Sequence, residues 1–249
     1  MRTKHTVVVL AVMMIVAGSG LSQSDSSSEP GLVNVSIVQV KPGMMPEFEA
    51  LKKEMSDALR KAGSTFVHVW QVARGTTNEY QTVSPVKNYA QFDEPSLSAR
   101  AMGEEGFAKW VAKITKCIQT RRLITLRAVP SLSIPAKEGA TPSLAILTTR
   151  ENLPGRGGDY NTWMREKYLP ALKKAGVEGF YVYRTAFGAS GRGWTTVTRI
   201  DNWAALDKRN PLREALSAEE MAELFSDAGA MTGSPERIVI RYRPELSIQ

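Results

Sequence analysis

The chain has 249 residues, 43% of them hydrophobic and 23% charged, which excludes a disordered polymer and leaves room for one large domain or two small ones. A formal charge of +7 would suit a nucleic-acid partner, but the basic residues are dispersed as Lys52-Lys53, Arg60-Lys61, Arg121-Arg122 and Lys173-Lys174 with acids between them, so no nucleic-acid partner is expected. The single cysteine, Cys117, excludes an internal disulfide and is read as a buried small apolar residue.

Arg2 and Lys4 precede an apolar run from Thr6 to Ala17, followed by the small residues Gly18, Ser19, Gly20 and Ser22. The run is about twelve residues, short of the roughly 20 that span a bilayer. Residues 1–22 therefore read as a cleaved export signal, with the mature start near Gln23 or after Ser19 and an uncleaved anchor as the alternative. The expected protein is exported, periplasmic or secreted, with no membrane attachment after cleavage. Residues 23–31 continue a serine-rich polar stretch and read as a linker.

Val33 to Val40 is rich in β-branched residues and ends at Pro42-Gly43, which predicts a strand and turn. Phe48, Leu51, Met55, Leu59 and Ala62 recur at helical spacing up to Gly63, which predicts an amphipathic helix with a glycine stop. Phe66 to Val72 and Tyr80 to Ser84 form a predicted hairpin across Gly75-Thr76-Thr77-Asn78. A helical stretch opens at Asn88, a helix is expected over Glu104 to Gln119, and a fourth strand over Leu123 to Val129. The order is β-α-β-β-α-β.

After a proline-rich linker at 135–142 the same order returns: a strand at Leu144 to Thr149 and a helix at Asp159 to Ala175. Pro170 lies inside that helix, where it removes a backbone donor, so a kink is expected near Glu166. A hairpin follows at Phe180 to Thr185 and Trp194 to Arg199, then helices opening at Asn202 and over Leu216 to Ala228, and a last strand at Arg237 to Arg243.

The two halves share wording as well as order. Arg127-Ala-Val-Pro-Ser-Leu-Ser-Ile134 returns as Arg241-Tyr-Arg-Pro-Glu-Leu-Ser-Ile248, Ala58 to Gly63 returns as Ala171 to Gly176, and Asn88 to Asp93 as Asn202 to Asp207. The offsets are 113 or 114 throughout, so the chain reads as one module written twice, at 32–134 and 143–249. Each tail beyond Pro130 and Pro244 is expected to pack on the opposite copy.

A four-stranded sheet with helices on one face leaves the other face needing a partner, which the second copy can supply. The pattern resembles the dimeric α+β barrel superfamily, on the element order and the Asn-(Tyr or Trp)-Ala opening after each hairpin. That superfamily includes antibiotic-biosynthesis-type monooxygenases, NIPSNAP and EthD-like proteins, and haem-dependent members. The resemblance implies an α+β fold of two ferredoxin-like units packed sheet to sheet around a cavity, a pseudo-dimer within one chain.

Strand parity then proposes a pocket. Val67 and Val69 are assigned to the helices and His68 and Trp70 to the space between the sheets, with Tyr181 and Tyr183 in the second copy. Taking Val83 and Val197 as the helix-facing apolar pair sends Tyr80, Thr82, Ser84, Trp194, Thr196 and Thr198 into the same space. Arg127 and Arg241 occupy equivalent places in the closing strands. Polar groups among aromatics suit a small hydrophobic or aromatic ligand.

The resemblance implies a cofactor-independent, monooxygenase-like oxidoreductase, with His68 moving protons and Arg127 or Arg241 stabilising an anion. The alternatives are a non-catalytic binding or interaction protein of the cell envelope, and a haem protein with His68 as axial ligand. Against these stand plainer roles: a hydrogen-bonded core histidine, aromatics that merely fill a barrel, and arginines paired at strand ends. No phosphate loop, dinucleotide fingerprint, His-Glu-x-x-His or Gly-x-Ser-x-Gly is present, and no metal site is expected.

Overall fold

The structure, a computed structural model, describes residues 31–64, 66–137, 142–208 and 210–248. The expected export signal, almost all of the expected polar linker and the middle of the second linker lie outside the described residues. No helix among the described residues is long and apolar enough to cross a membrane.

Eight strands form one closed antiparallel barrel: β1 (Leu32–Val40), β2 (His68–Arg74), β3 (Glu79–Val86), β4 (Ile118–Ala128), β5 (Leu144–Glu151), β6 (Phe180–Phe187), β7 (Gly193–Ile200) and β8 (Glu236–Tyr242). Around the wall the order is β1-β3-β2-β8-β5-β7-β6-β4, with β4 returning to β1. Strands from the two halves meet at two seams. Trp70 faces Tyr242 and Val72 faces Ile240 at the β2–β8 seam, while Ala128 faces Tyr183 and Leu126 faces Thr185 at the β4–β6 seam. Closure leaves no unpaired edge for another chain to extend.

Helices cover the outside of the wall. Helix α1 (Met45–Lys61) begins with Pro46 in its first turn and ends before Gly63, whose φ of +80° a side chain would resist. Its Phe48, Leu51, Met55 and Leu59 are buried, at the spacing that makes one apolar face. Two helices, α2 (Leu97–Met102) and α3 (Glu104–Cys117), complete the cover of the first half. In the second half α4 (Gly157–Trp163) runs through a π turn at Met164–Tyr168 into α5 (Leu169–Lys174), and α6 (Pro211–Ala215) and α7 (Ala218–Met231) follow.

The disturbance expected from Pro170 is this π turn. Leu169 N–H reaches back five residues to the Met164 carbonyl, so the helix widens immediately before the residue that cannot donate. Two boundaries differ from the sequence reading. Strand β4 starts at Ile118 rather than Leu123, because Ile118 and Thr120 pair with Val40 and Gln39 of β1 across a bulge. The helix expected at Leu216 to Ala228 runs from Ala218 to Met231, started by a capping box of Ser217 and Glu220, and a short helix, α6, precedes it unpredicted.

The tails cross as expected. Ile134 exchanges two backbone hydrogen bonds with Phe180, of 2.7 and 2.9 Å, and Ile248 does the same with Val67, at 2.8 and 3.2 Å. Leu132 is buried among the second half's helices, and Leu246 is buried against Phe48 and Leu51 of the first. The Asn-aromatic-Ala motif makes a second pair of ties. Asn88 and Asn202 each cap a short 3-10 turn with nearly identical backbone angles. Tyr89 then meets Phe187 edge-on at 5.4 Å, and Trp203 lies 5.1 Å from the Arg74 guanidinium. Each motif therefore grips the hairpin of the other half.

Candidate functional site

The barrel encloses a cavity of about 780 Å³, open at one end. Its floor is apolar, made by Val33 and Val35 of β1, Leu126 of β4, Val197 of β7 and Ile240 of β8, with Trp70 and Tyr183 as its aromatic walls. Above them the lining turns polar at Gln81, Thr149, Thr185 and Thr195, and the mouth carries Glu79, Arg121, Arg122, Arg150, Glu151 and Glu236. A ligand would meet water and charge on entry and hydrocarbon below, the usual gradient of a site for a largely apolar small molecule.

Register explains which side chains point inward. Residues directly opposite on antiparallel strands share a face. Trp70 is opposite Gln81, Tyr181 opposite Val197 and Tyr183 opposite Thr195, so Gln81, Val197 and Thr195 face in with the aromatics. Trp70 and Tyr183 therefore line the cavity as the sequence predicted.

The other predicted pocket residues lie elsewhere, except that Trp194 borders the cavity. Tyr181 faces the barrel interior below the cavity floor, where its hydroxyl accepts a hydrogen bond from Ala136 N–H at 3.2 Å. The assignment of Tyr80, Thr82 and Ser84 is reversed: Tyr80 packs on Phe48 under α1 and donates to Glu49, and Thr82 accepts from Lys52 Nζ at 3.0 Å. Ser84 shares their face by alternation. Trp194 borders the cavity near its mouth, but its ring packs among the second half's helix-facing aromatics, 5.2 Å from Tyr160. Thr196 and Thr198 follow Trp194 outward. Both errors have one cause. Val83 and Val197 are apolar because the barrel floor is apolar, not because they face helices.

Arg127 and Arg241 also leave the site. Leu126 and Ala128 point into the barrel, so Arg127 between them points out; Arg241, between Ile240 and Tyr242, is exposed on the outer face. Neither lines the cavity, so neither is placed to stabilise an anion formed there.

His68 faces the interior but lies one step below Trp70, opposite Val83, outside the cavity lining. It has no exposed surface, and neither ring nitrogen has a hydrogen-bond partner. Phe66 covers it at 4.2 Å and Tyr242 meets it edge-on at 5.0 Å. Burial without a compensating charge pushes its pKa down to about 4, so the imidazole is neutral at physiological pH. The expected proton-transfer residue is thus a sealed core group.

Two features of the cavity wall were not visible in the sequence reading. Trp70 is fully buried in the wall, and its indole N–H, like the ring nitrogens of His68, has no partner and is closed off from the cavity. Glu79 and Gln81 form a polar pair on the same wall, the Gln81 amide donating to the Glu79 carboxylate at 3.0 Å. Counting alternate residues through the hairpin from Trp70 would have found both. Burial raises the Tyr183 pKa, so its phenol stays protonated in the wall.

No family model and no curated protein sequence matches the chain. Solved structures do. A candidate monooxygenase from Lactobacillus acidophilus NCFM is 11% identical with a TM-score of 0.57, covering 88% of this chain and 96% of that one. An anthrone oxidase-like protein is 12% identical, with a TM-score of 0.56 and coverage of 88% and 94%. A mutant chlorite dismutase from Candidatus Nitrospira defluvii is 10% identical, with a TM-score of 0.55 and coverage of 88% and 93%. At these identities the likeness is one of fold: the chain shares the closed α+β barrel architecture of these structures.

Proposed function

We propose that this chain is an exported barrel protein, built of two tandem ferredoxin-like units, that binds a small hydrophobic or aromatic molecule in its central cavity. Within that reading it is a cofactor-independent, monooxygenase-like oxidoreductase, in keeping with the neighbours that carry monooxygenase and anthrone oxidase-like names. The observation that carries the reading is the cavity itself. It is large enough for a polycyclic aromatic, and it is apolar below. A fully packed barrel would have filled that volume with side chains.

Haem is the other ligand the superfamily resemblance raises. His68 is the only histidine among the described residues, and it is closed off from the cavity by its aromatic neighbours. Cys117 is buried on the helix side of the wall. The residues present do not fit a haem in this cavity. Binding without catalysis, in a protein of the cell envelope, is the second reading, and one experiment separates it from the first. With anthrone and a panel of dihydroxy-aromatics, the wild type should consume dioxygen. Binding without uptake across the panel would leave a binding protein.

A further inference from the structure

The outer wall of the second half carries two arginines without an acid. On β5, Arg150 reaches the rim of the mouth but alternates with Thr149 and Glu151, so its side chain shares the outer face with Trp194, directly opposite on β7. Arg237 of β8 is directly opposite Thr148, two residues before Arg150, and lies on the same face. Arg184, opposite Trp194 on its other side, is already engaged, its guanidinium 5.2 Å from the Trp194 ring. The guanidinium of neither Arg150 nor Arg237 makes an ion pair or a hydrogen bond among the described residues, whereas Arg192 lies 3.7 Å from Glu151. Three acids of the nearby helix α7 are taken: Glu220 lies 3.7 Å from Lys174, and Glu223 and Asp227 hold Lys167 at 3.0 and 2.7 Å.

Two phenols stand beside this face. Tyr160 of α4 packs edge-on to Trp194 at 5.2 Å, and Tyr168 ends the π turn, whose five-residue spacing stacks it on Trp163 at 5.0 Å. Tyr160 is 1% exposed, and neither phenol hydroxyl has a hydrogen-bond partner among the described residues. Burial raises both pKa values, while the Arg150 charge opposes that rise at each phenol and the Arg237 charge opposes it at Tyr168. Both phenols therefore remain neutral hydrogen-bond donors within reach of the arginines' field.

The first half fills the matching place with a carboxylate of its own. Register equates Arg150 with Val38 and Trp194 with Tyr80, and Tyr160 packs on Trp194 as Phe48 packs on Tyr80, at 5.0 Å. One residue beyond Phe48, Glu49 accepts from the Tyr80 hydroxyl and the Arg243 guanidinium. One residue beyond Tyr160 stands the uncharged Asn161. The second half thus has cations and hydroxyl donors but no acceptor, an arrangement that an anion would complete. We propose that this outer face of the second half binds an oxyanion, the phosphate or carboxylate group of a small molecule, held by Arg150 and Arg237 with the Tyr160 and Tyr168 hydroxyls as donors. The site lies outside the barrel and does not depend on what occupies the cavity.

Calorimetric titration of the full chain with inorganic phosphate and, separately, with benzoate tests the site, and the anion that binds more tightly tells phosphate from carboxylate as its ligand. Arg150→Gln should weaken that binding at least about 10-fold, with the melting transition of the anion-free protein unchanged. Arg237→Gln should weaken it by a smaller factor, and Tyr160→Phe, which keeps the ring and removes the donor, should weaken it several-fold. Arg192→Gln, which removes an arginine already paired with Glu151, and Val197→Phe, which narrows the barrel cavity, should leave it as in the wild type. Equal affinity in the wild type and Arg150→Gln overturns the proposal, as does failure of both anions to bind. A loss in Arg192→Gln as large as that in Arg150→Gln would mean attraction by net charge alone, and a loss in Val197→Phe would put the anion inside the barrel; either result also overturns it.

Discussion

Lowering the pH from 6.5 to 4 should remove about 3 kcal/mol of folding stability through His68 alone. In the unfolded chain this imidazole titrates near its ordinary value of 6.5; in the barrel its pKa is about 4 because burial disfavours the cation. The unfolded state therefore binds the proton first. Stability is complete above pH 6.5, declines as pH falls below it, and the loss from this group levels off once pH is below about 4. Equilibrium urea unfolding across this range measures the slope. His68→Leu should be close to neutral at pH 7, since both ring nitrogens already lack partners, and it should flatten the dependence between 6.5 and 4. An unchanged slope in the variant would show that other groups carry the acid sensitivity.

Arg243→Met should cost about 2–4 kcal/mol at neutral pH. The Arg243 guanidinium leaves the last strand to reach the other half, donating to Glu49 of α1 at 2.7 Å and to Gln71 of β2 at 2.6 Å, and it also pairs with Glu245. Tyr80 donates to the same Glu49 oxygen. With only 17% of the Arg243 side chain and 29% of Glu49 exposed, removing the cation leaves a partly buried carboxylate held by one phenol. The Arg243 hydrogen bond is also the main reason the Glu49 pKa lies below its usual value. This stabilisation is present above the unfolded carboxylate pKa of 4.5 and is lost as pH falls through the folded one, a window that overlaps only the acid end of the one in which His68 acts. A double-mutant cycle with Glu49→Gln, read by urea unfolding at pH 7, should give a coupling of at least about 1 kcal/mol; additivity would mean that Arg243 acts only through its packing and its bond to Gln71.

The order of strands and helices, the glycine stop of α1, the disturbance ahead of Pro170 and the crossing tails were all legible in the sequence, because each rests on a local rule or a repeated phrase. The inward faces of the hairpins were only half legible. Strands β2 and β6 were oriented correctly by setting Trp70 and Tyr183 apart from the neighbouring valines. Strands β3 and β7 were then oriented by the apolarity of Val83 and Val197, without reference to their partners. In a barrel covered by helices both faces of a strand are buried, so apolarity alone does not distinguish them. Cross-strand register does: fixing Trp70 inward also fixes Gln81 inward and Tyr80 outward. The same alternation turns Arg127 and Arg241 out of the barrel. Glu79 escaped notice because a charged residue beside a turn reads as solvated until the closed wall shows which way it faces.

The account depends most on a ligand occupying the barrel. Calorimetric titration with anthrone, comparing the wild type with Val197→Phe and Trp203→Ala, tests that directly. Val197 lies on the cavity floor, and a phenyl group there takes up space the ligand needs. Trp203 packs outside the barrel against Arg74. Val197→Phe, with its folded state checked by an unchanged melting transition, should weaken binding at least 10-fold, which is about 1.4 kcal/mol, while Trp203→Ala should leave it as in the wild type. Equal affinity in the wild type and Val197→Phe would place the ligand elsewhere and contradict the account.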